Sequence, residues 1–109
     1  MKLNPRPNEI YEARVRLGKA DYPRPCVIMG LEREGKVSAL LITSALELCD
    51  NSHFNFRIDA NDPDFPKTGL KKDCCIMGER FVNIDCSDLI RKRGQFDGEL
   101  LNRFLKWIT

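Results

Sequence analysis

The sequence contains one histidine, one tryptophan and no apolar run near the ~18–20 residues that a transmembrane helix needs. We therefore expect no membrane partner. Its N-terminus also lacks the apolar stretch of a signal peptide, which predicts a cytoplasmic protein. Basic and acidic residues number 18 and 16, so the net charge of +2 does not by itself indicate a polyanionic partner. Any such partner has to be inferred from local clusters of charge.

The cysteines form no recognisable metal motif. With one histidine and no C-x-x-C pair they match no zinc site, so we expect neither a metal nor a cofactor. Cys74 and Cys75 are adjacent, and in a strand they would point to opposite faces. We expect buried free thiols in a reducing compartment, with a metal or redox role as the alternative. The five are Cys26, Cys49, Cys74, Cys75 and Cys86.

A chain of 109 residues predicts a single domain spanning residues 1–109. Alternation of apolar and polar residues predicts half-buried strands at 11–17 and 53–58. Pro23 and Pro25 bracket Arg24 in a stretch, residues 18–25, for which we expect a loop. Further short strands are expected from the mainly apolar or basic segments 26–29, 37–43, 74–77, 81–84 and 89–93.

The C-terminal tail has the only clear helical pattern. Asp97 is placed to cap a helix whose apolar residues recur at helical spacing: Leu100, Leu101, Phe104, Leu105 and Ile108. Short strands followed by one helix predict a mainly β fold, a small antiparallel SH3-like barrel with the C-terminal helix packed on it. Because this helix has more apolar surface than one barrel face needs, we expect part of the C-terminal region or the adjoining strands to lie at a homodimer interface.

The order of features from Asn8 to Ile108 resembles the MazF/PemK family, the toxins of bacterial toxin–antitoxin modules. Members have an opening strand, an Arg-Pro pair before a buried strand, a strand ending in a hydroxyl residue, and a Gly-apolar-charged-charged-Asp stretch before a later Ile-Asp. The matching segments are Asn8-Glu9-Ile10-Tyr11, Arg24-Pro25-Cys26-Val27-Ile28, Leu40-Leu41-Ile42-Thr43-Ser44, Gly69-Leu70-Lys71-Lys72-Asp73-Cys74-Cys75-Ile76 and Asn83-Ile84-Asp85. A basic strand, a glycine and an amphipathic helix complete the resemblance.

The resemblance implies that Arg24 and Thr43 are the catalytic pair. Metal-free RNA cleavage needs the 2′-OH to attack the phosphate, proton transfer at both oxygens, and positive charge over the phosphate. Arg24 would place its guanidinium on the phosphate and Thr43 would donate a hydroxyl hydrogen bond. A solvated loop charge and a strand-end hydroxyl are the structural alternatives for these two residues.

Four further residues receive auxiliary or RNA-binding roles: Asp21, Ser44, His53 and Glu79. Asp21 would replace the glutamate that the family usually has in its first loop, which is shorter here. His53 is the only ordinary side chain that titrates near neutrality, although a surface position is its simplest interpretation. Met77 and Glu79 occupy positions where some family members have catalytic Arg and Asp residues. The run Arg91-Lys92-Arg93 is interpreted as a solvated strand edge, with RNA contact as the alternative.

The resemblance implies a metal-independent, sequence-selective endoribonuclease that cuts single-stranded RNA and leaves 2′,3′-cyclic phosphate ends. It would be the toxin of a type II toxin–antitoxin pair, and its partners would be RNA, a second copy of the chain and a short acidic antitoxin. The alternative is a barrel of the same fold that acts by binding, as a gyrase poison or a degenerate RNA-binding module. The shortened loop and Met77 favour that alternative.

Overall fold

The computed structural model describes residues 3–17, 20–49 and 54–109. Six strands form one sheet in the order β4-β5-β3-β2-β1-β6, and every neighbouring pair is antiparallel. The strands are β1 (Glu9–Leu17), β2 (Ala20–Leu31), β3 (Lys36–Thr43), β4 (Asn55–Ile58), β5 (Cys74–Asp85) and β6 (Leu89–Gln95), and the helix α1 is Gly98–Ile108. This mainly β architecture with one C-terminal helix confirms the predicted fold class.

The sheet separates two groups of buried side chains. One group includes Ile10, Val27 and Ile76 and is covered by α1. The other includes Tyr11, Ile28 and residues of β3, β5 and β6. Neighbouring residues of β2, such as Val27 and Ile28, enter different groups because successive side chains of a strand point to opposite faces. β2 and β3 supply apolar residues to both groups, as expected for strands near the centre of the sheet.

α1 packs against the sheet through an aromatic cluster. Phe104 is fully buried, with ring centroids 4.5 Å from Phe96 and 5.8 Å from Phe56. The predicted cap is confirmed, because the Asp97 side chain accepts a hydrogen bond from the Gly98 backbone N–H. A second carboxylate, from Asp64, accepts the Leu100 N–H at 3.4 Å. The helix start is therefore satisfied by acidic side chains from two segments, in the polarity that the helix dipole favours.

The predicted loop at 18–25 is wrong from residue 20 onwards, because β2 already begins at Ala20. Pro23 lies opposite Arg14, and Pro25 lies opposite Glu12. The pairing of β2 with β3 ends at Cys26, so the residues before it form an open edge on that side. Residues two apart in a strand direct their N–H groups to the same side, so these two prolines leave one side of β2 without two donors. A strand tolerates this loss where that side has no neighbouring strand.

Two other boundaries differ from the sequence-based expectation. The segments 74–77 and 81–84 belong to a single twelve-residue strand, β5, which pairs with β4 at one end and β3 over most of its length. β4 begins at Asn55 and residue 54 lies in a turn, while residue 53, the predicted start, lies outside the described residues. Among the described residues, no helix has the length and apolar character needed to cross a membrane.

Candidate active site

A cavity of about 570 Å³ lies where β2, the end of β3 and the loop before β5 meet. β2 contributes Arg24, and β3 contributes Thr43 at its last position. The loop contributes Lys71 and Lys72, and Arg93 of β6 reaches the same space. The two residues to which the sequence assigns catalysis therefore line one cavity, although they are 19 positions apart in the chain.

Arg24 is fixed by its strand rather than by a flexible loop. It lies directly opposite Ala13 of β1, is half-buried, and has a proline on each side. Because proline fixes φ, the two neighbours restrict the backbone that carries the guanidinium. The Arg24 Nε is also buried, so the guanidinium has lost part of its freedom before it meets a phosphate.

Thr43 ends β3 with its hydroxyl in a defined orientation. The Thr43 Oγ1 accepts a hydrogen bond from the Ala45 backbone N–H at 3.1 Å. A hydroxyl that accepts in this way keeps its own proton for donation to another oxygen. Ser44, the next residue, is exposed and also lines the cavity.

The expectation of five free thiols is wrong for two cysteines. Cys49 and Cys75 form a disulfide with their Cα atoms 5.9 Å apart, and Cys75 is the cross-strand partner of Thr43. The bond ties the chain that follows Thr43 to β5. Cys26 and Cys74 are free and buried, and Cys86 is free and half-buried.

The cavity has a strongly positive lining. Arg24, Lys71, Lys72 and Arg93 all contribute to it, and no carboxylate among the described residues does. The nearest acidic residue in the sequence, Asp73, is held elsewhere: its carboxylate accepts the Ala60 N–H at 2.6 Å and an Arg57 N–H at 3.4 Å. The excess of positive charge fits an anionic ligand.

Arg93 is a largely buried cation with structural partners. Its side chain is 13% exposed, and its Nε and Nη2 donate to the Gly69 carbonyl at 3.2 and 2.8 Å. Its Nη1 also lies 3.4 Å from Glu12 Oε1. Arg91 and Lys92, in contrast, are 62% and 41% exposed and pair with glutamates of β1. The predicted solvated edge therefore holds for Arg91 and Lys92 but is wrong for Arg93.

Cys74 is the thiol that lines the cavity. Burial raises the pKa of this thiol, and the positive charge of Lys72 acts in the opposite direction. Its Sγ donates to the Lys72 carbonyl at 3.0 Å. Because the thiolate rather than the thiol is the reactive form, a raised pKa argues against Cys74 as a nucleophile.

The other predicted auxiliary residues are not brought together in the described part of the site. The backbone of Asp21 lies in β2 opposite Arg16, while its side chain is outside the described part. His53 lies outside the described residues altogether. Glu79 is exposed on β5 and does not line the cavity. Only Ser44 joins Arg24 and Thr43 there.

Lys71 and Lys72 are the residues that sequence reasoning missed as site candidates, whereas RNA contact by Arg93 was the alternative to its predicted role at a solvated edge. The two lysines belong to the Gly69–Asp73 stretch, whose pattern signalled the resemblance but not a ligand contact. Among the described residues, no group of three His, Cys, Asp or Glu side chains could hold a metal ion.

The sequence matches no family model, and no curated protein matches it. In fold it matches 36 solved chains. One is the toxin MazF-mt6 of Mycobacterium tuberculosis, with a TM-score of 0.66 and 20% sequence identity over 92% of this chain and 91% of that one. The chain therefore has the fold of a MazF toxin, as its sequence motifs predict.

Proposed function

We propose that the chain is a metal-independent endoribonuclease that cuts single-stranded RNA and acts as the toxin of a type II toxin–antitoxin system. The proposal rests mainly on one observation: Arg24 and Thr43 line the same cavity, and four cationic side chains contribute to its lining. The fold shared with a MazF toxin supports it. Single-stranded RNA suits the site because its 2′-OH and base edges are accessible.

In this proposal the 2′-oxygen of the nucleotide bonds to the adjacent phosphorus, and the bond from phosphorus to the 5′-oxygen breaks. The products are a 2′,3′-cyclic phosphate and a 5′-OH. Arg24 stabilises the charge on the phosphate oxygens, and the Thr43 hydroxyl, oriented by the Ala45 N–H, donates a further hydrogen bond. Removing one such donor costs about 10²–10³ in rate in other enzymes.

Asp21 is our proposed acceptor for the 2′-OH proton, because it stands in place of the glutamate that the resembling family usually has in its first loop. Water or a cationic side chain of the cavity returns a proton to the 5′-oxygen. Ser44, as a lining hydroxyl, and His53 and Glu79 are assigned only to RNA binding. An Asp21→Asn variant that keeps full activity would remove Asp21 from the mechanism.

A binding-only barrel is the second candidate. The observation that favours it is that no imidazole or carboxylate among the described residues lines the cavity. Such a protein would inhibit by holding a nucleic acid or a target protein without cutting RNA. It predicts that long RNA remains intact even at high protein concentration.

Cleavage of long RNA in EDTA separates the two candidates. The enzyme predicts specific cuts that end in cyclic phosphate, and the loss of those cuts in Arg24→Ala and Thr43→Val. Arg33→Ala is a matched control, because Arg33 is exposed in the β2–β3 turn, outside the cavity lining. Intact RNA with the wild-type protein would instead support the binding-only barrel.

We further propose a homodimer that is neutralised by a short acidic antitoxin, in the cytoplasm. Leu105 and Ile108 of α1 are 38% and 40% exposed, and Phe81 of β5 is 56% exposed. Apolar surface of this kind is typical of protein interfaces. The antitoxin is inferred from the sequence resemblance, and its acidic side chains would cover the cations of the cavity. Sedimentation as a strict monomer at micromolar concentration would refute the dimer.

A further inference from the structure

Lys71 and Lys72 form a second group of cations in the lining of the cavity. Both side chains are exposed, and no ion pair to either is present within the described part of the chain. Asp73, which follows them, is engaged with Arg57 and the Ala60 N–H. The charges of the two lysines are therefore not balanced by the acidic residue nearest to them in sequence.

The loop that carries these lysines is fixed at both ends. Before them, Gly69 has φ +73, and its carbonyl accepts two N–H groups of Arg93. The buried Thr68 hydroxyl donates to the Phe65 carbonyl at 2.6 Å and accepts the Leu70 N–H at 3.1 Å. After them, the Cys74 thiol donates to the Lys72 carbonyl. Side chains of Thr68, Cys74 and Arg93 thus fix the backbone on both sides of the two lysines, at the edge of the cavity.

The number of cations exceeds what one phosphate requires. A phosphodiester carries a single negative charge, which Arg24 alone matches. The charge of Arg93 lies 3.4 Å from the carboxylate of Glu12, which it shares with Arg91. Lys71 and Lys72 remain as charges for a further anionic group within a cavity of about 570 Å³.

We propose that Lys71 and Lys72 bind a phosphate of single-stranded RNA adjacent to the one held at Arg24, so that the cavity contains two consecutive phosphates of one strand. This inference rests on the proposed function. Arg93 acts as a positioning residue, since it holds the Gly69 carbonyl and with it the loop. Phosphate contacts set the register of the strand, so the lysines determine which phosphate reaches Thr43.

The test measures the salt dependence of binding. For single strands, log K decreases as log salt increases, and the slope is more negative by about 0.7 for each phosphate charge that the protein neutralises. The probe is a fluorescent 2′-fluoro oligonucleotide of mixed sequence, which lacks the attacking hydroxyl and stays intact. We expect Lys71→Ala and Lys72→Ala each to weaken binding. Because the two lysines share one phosphate, the double variant should bring the slope about 0.7 closer to zero, whereas Lys72→Arg keeps the wild-type slope.

Lys106→Ala is the matched control, because it removes the same charge from an exposed position of α1 outside the cavity lining. It should leave the slope unchanged. Wild-type binding affinity and slope in the double lysine variant overturn the second phosphate position and leave the ribonuclease intact. If the wild-type protein neither binds this probe nor cuts long RNA, the proposed function itself fails, and this inference fails with it.

Discussion

The Cys49–Cys75 disulfide closes a loop across a sequence separation of 26 residues, and breaking it should cost a large part of the stability of the chain. A cross-link of this span reduces the entropy of the unfolded chain by an amount that corresponds to about 3.5 kcal/mol at 25 °C. Cys49→Ser removes the link and leaves Cys75, which is fully buried, in place. We expect the free energy of unfolding of this variant to fall by about 3 kcal/mol.

Urea denaturation monitored by tryptophan fluorescence measures the difference, because Trp107 packs against the aromatic cluster around Phe56. Wild-type protein in excess dithiothreitol should match Cys49→Ser, and the variant should not respond to the reductant. Cys86→Ser is the control, since Cys86 is free and half-buried. If wild-type protein denatured without reductant titrates as five thiols, the disulfide is absent. If its midpoint does not change on reduction, the disulfide does not stabilise the chain.

Three further predictions concern the core and the loops. Burial raises the pKa of the Cys26 thiol from 9.0 to about 12, so the unfolded chain loses this proton at a lower pH than the folded chain. The free energy of unfolding should therefore decrease between pH 9.0 and about 12, by about 1.4 kcal/mol per pH unit. Urea midpoints across this range should show a shallower decline in Cys26→Ala, and an equal decline would contradict the assignment. Phe104→Ala should lower the free energy of unfolding by about 3–5 kcal/mol in urea denaturation, whereas Leu105→Ala, one position further and 38% exposed, should lower it far less. Similar losses in the two variants would show that α1 does not pack on the sheet as described. Gly69→Ala should lower the melting temperature more than Gly35→Ala. Both glycines have φ +73, but only at Gly69 would an added Cβ overlap the Arg93 carbonyl. Equal decreases in melting temperature would argue against this close approach.

Local patterns predicted the regular parts of this fold. The alternation over β1 and β4 and the apolar spacing of α1 depend on which side of an element faces the core, and that information is present in a short window. The cap at Asp97 is similarly local. The single domain over residues 1–109 stays a prediction.

The parts that sequence reasoning missed depend on distant partners. Prolines at 23 and 25 indicate a loop in a local window, but pairing with β1 on one side alone makes a strand possible there. Cys49 meets Cys75 only after β3 and β5 have paired.

In the candidate site, too, local motifs could be read from the sequence, whereas contacts between distant residues could not. Arg24 and Thr43 were identified through ordered motifs, whereas the burial of Arg93 depends on Gly69 and Glu12, which are 24 and 81 positions away. Sequence spacing gives no signal for such contacts. The roles of Asp21, His53 and Glu79 stay predictions.

In the proposed reaction, a 2′-OH of the RNA is the nucleophile in the cavity lined by Arg24 and Thr43. Once a cleavage position has been mapped on a long RNA, the most direct measurement replaces the 2′-OH of that one nucleotide by hydrogen and follows cutting in EDTA. Cutting at this position should disappear while the modified RNA still binds, and the unmodified RNA should yield a 2′,3′-cyclic phosphate by mass spectrometry. Continued cutting at the deoxy position would contradict the proposed reaction.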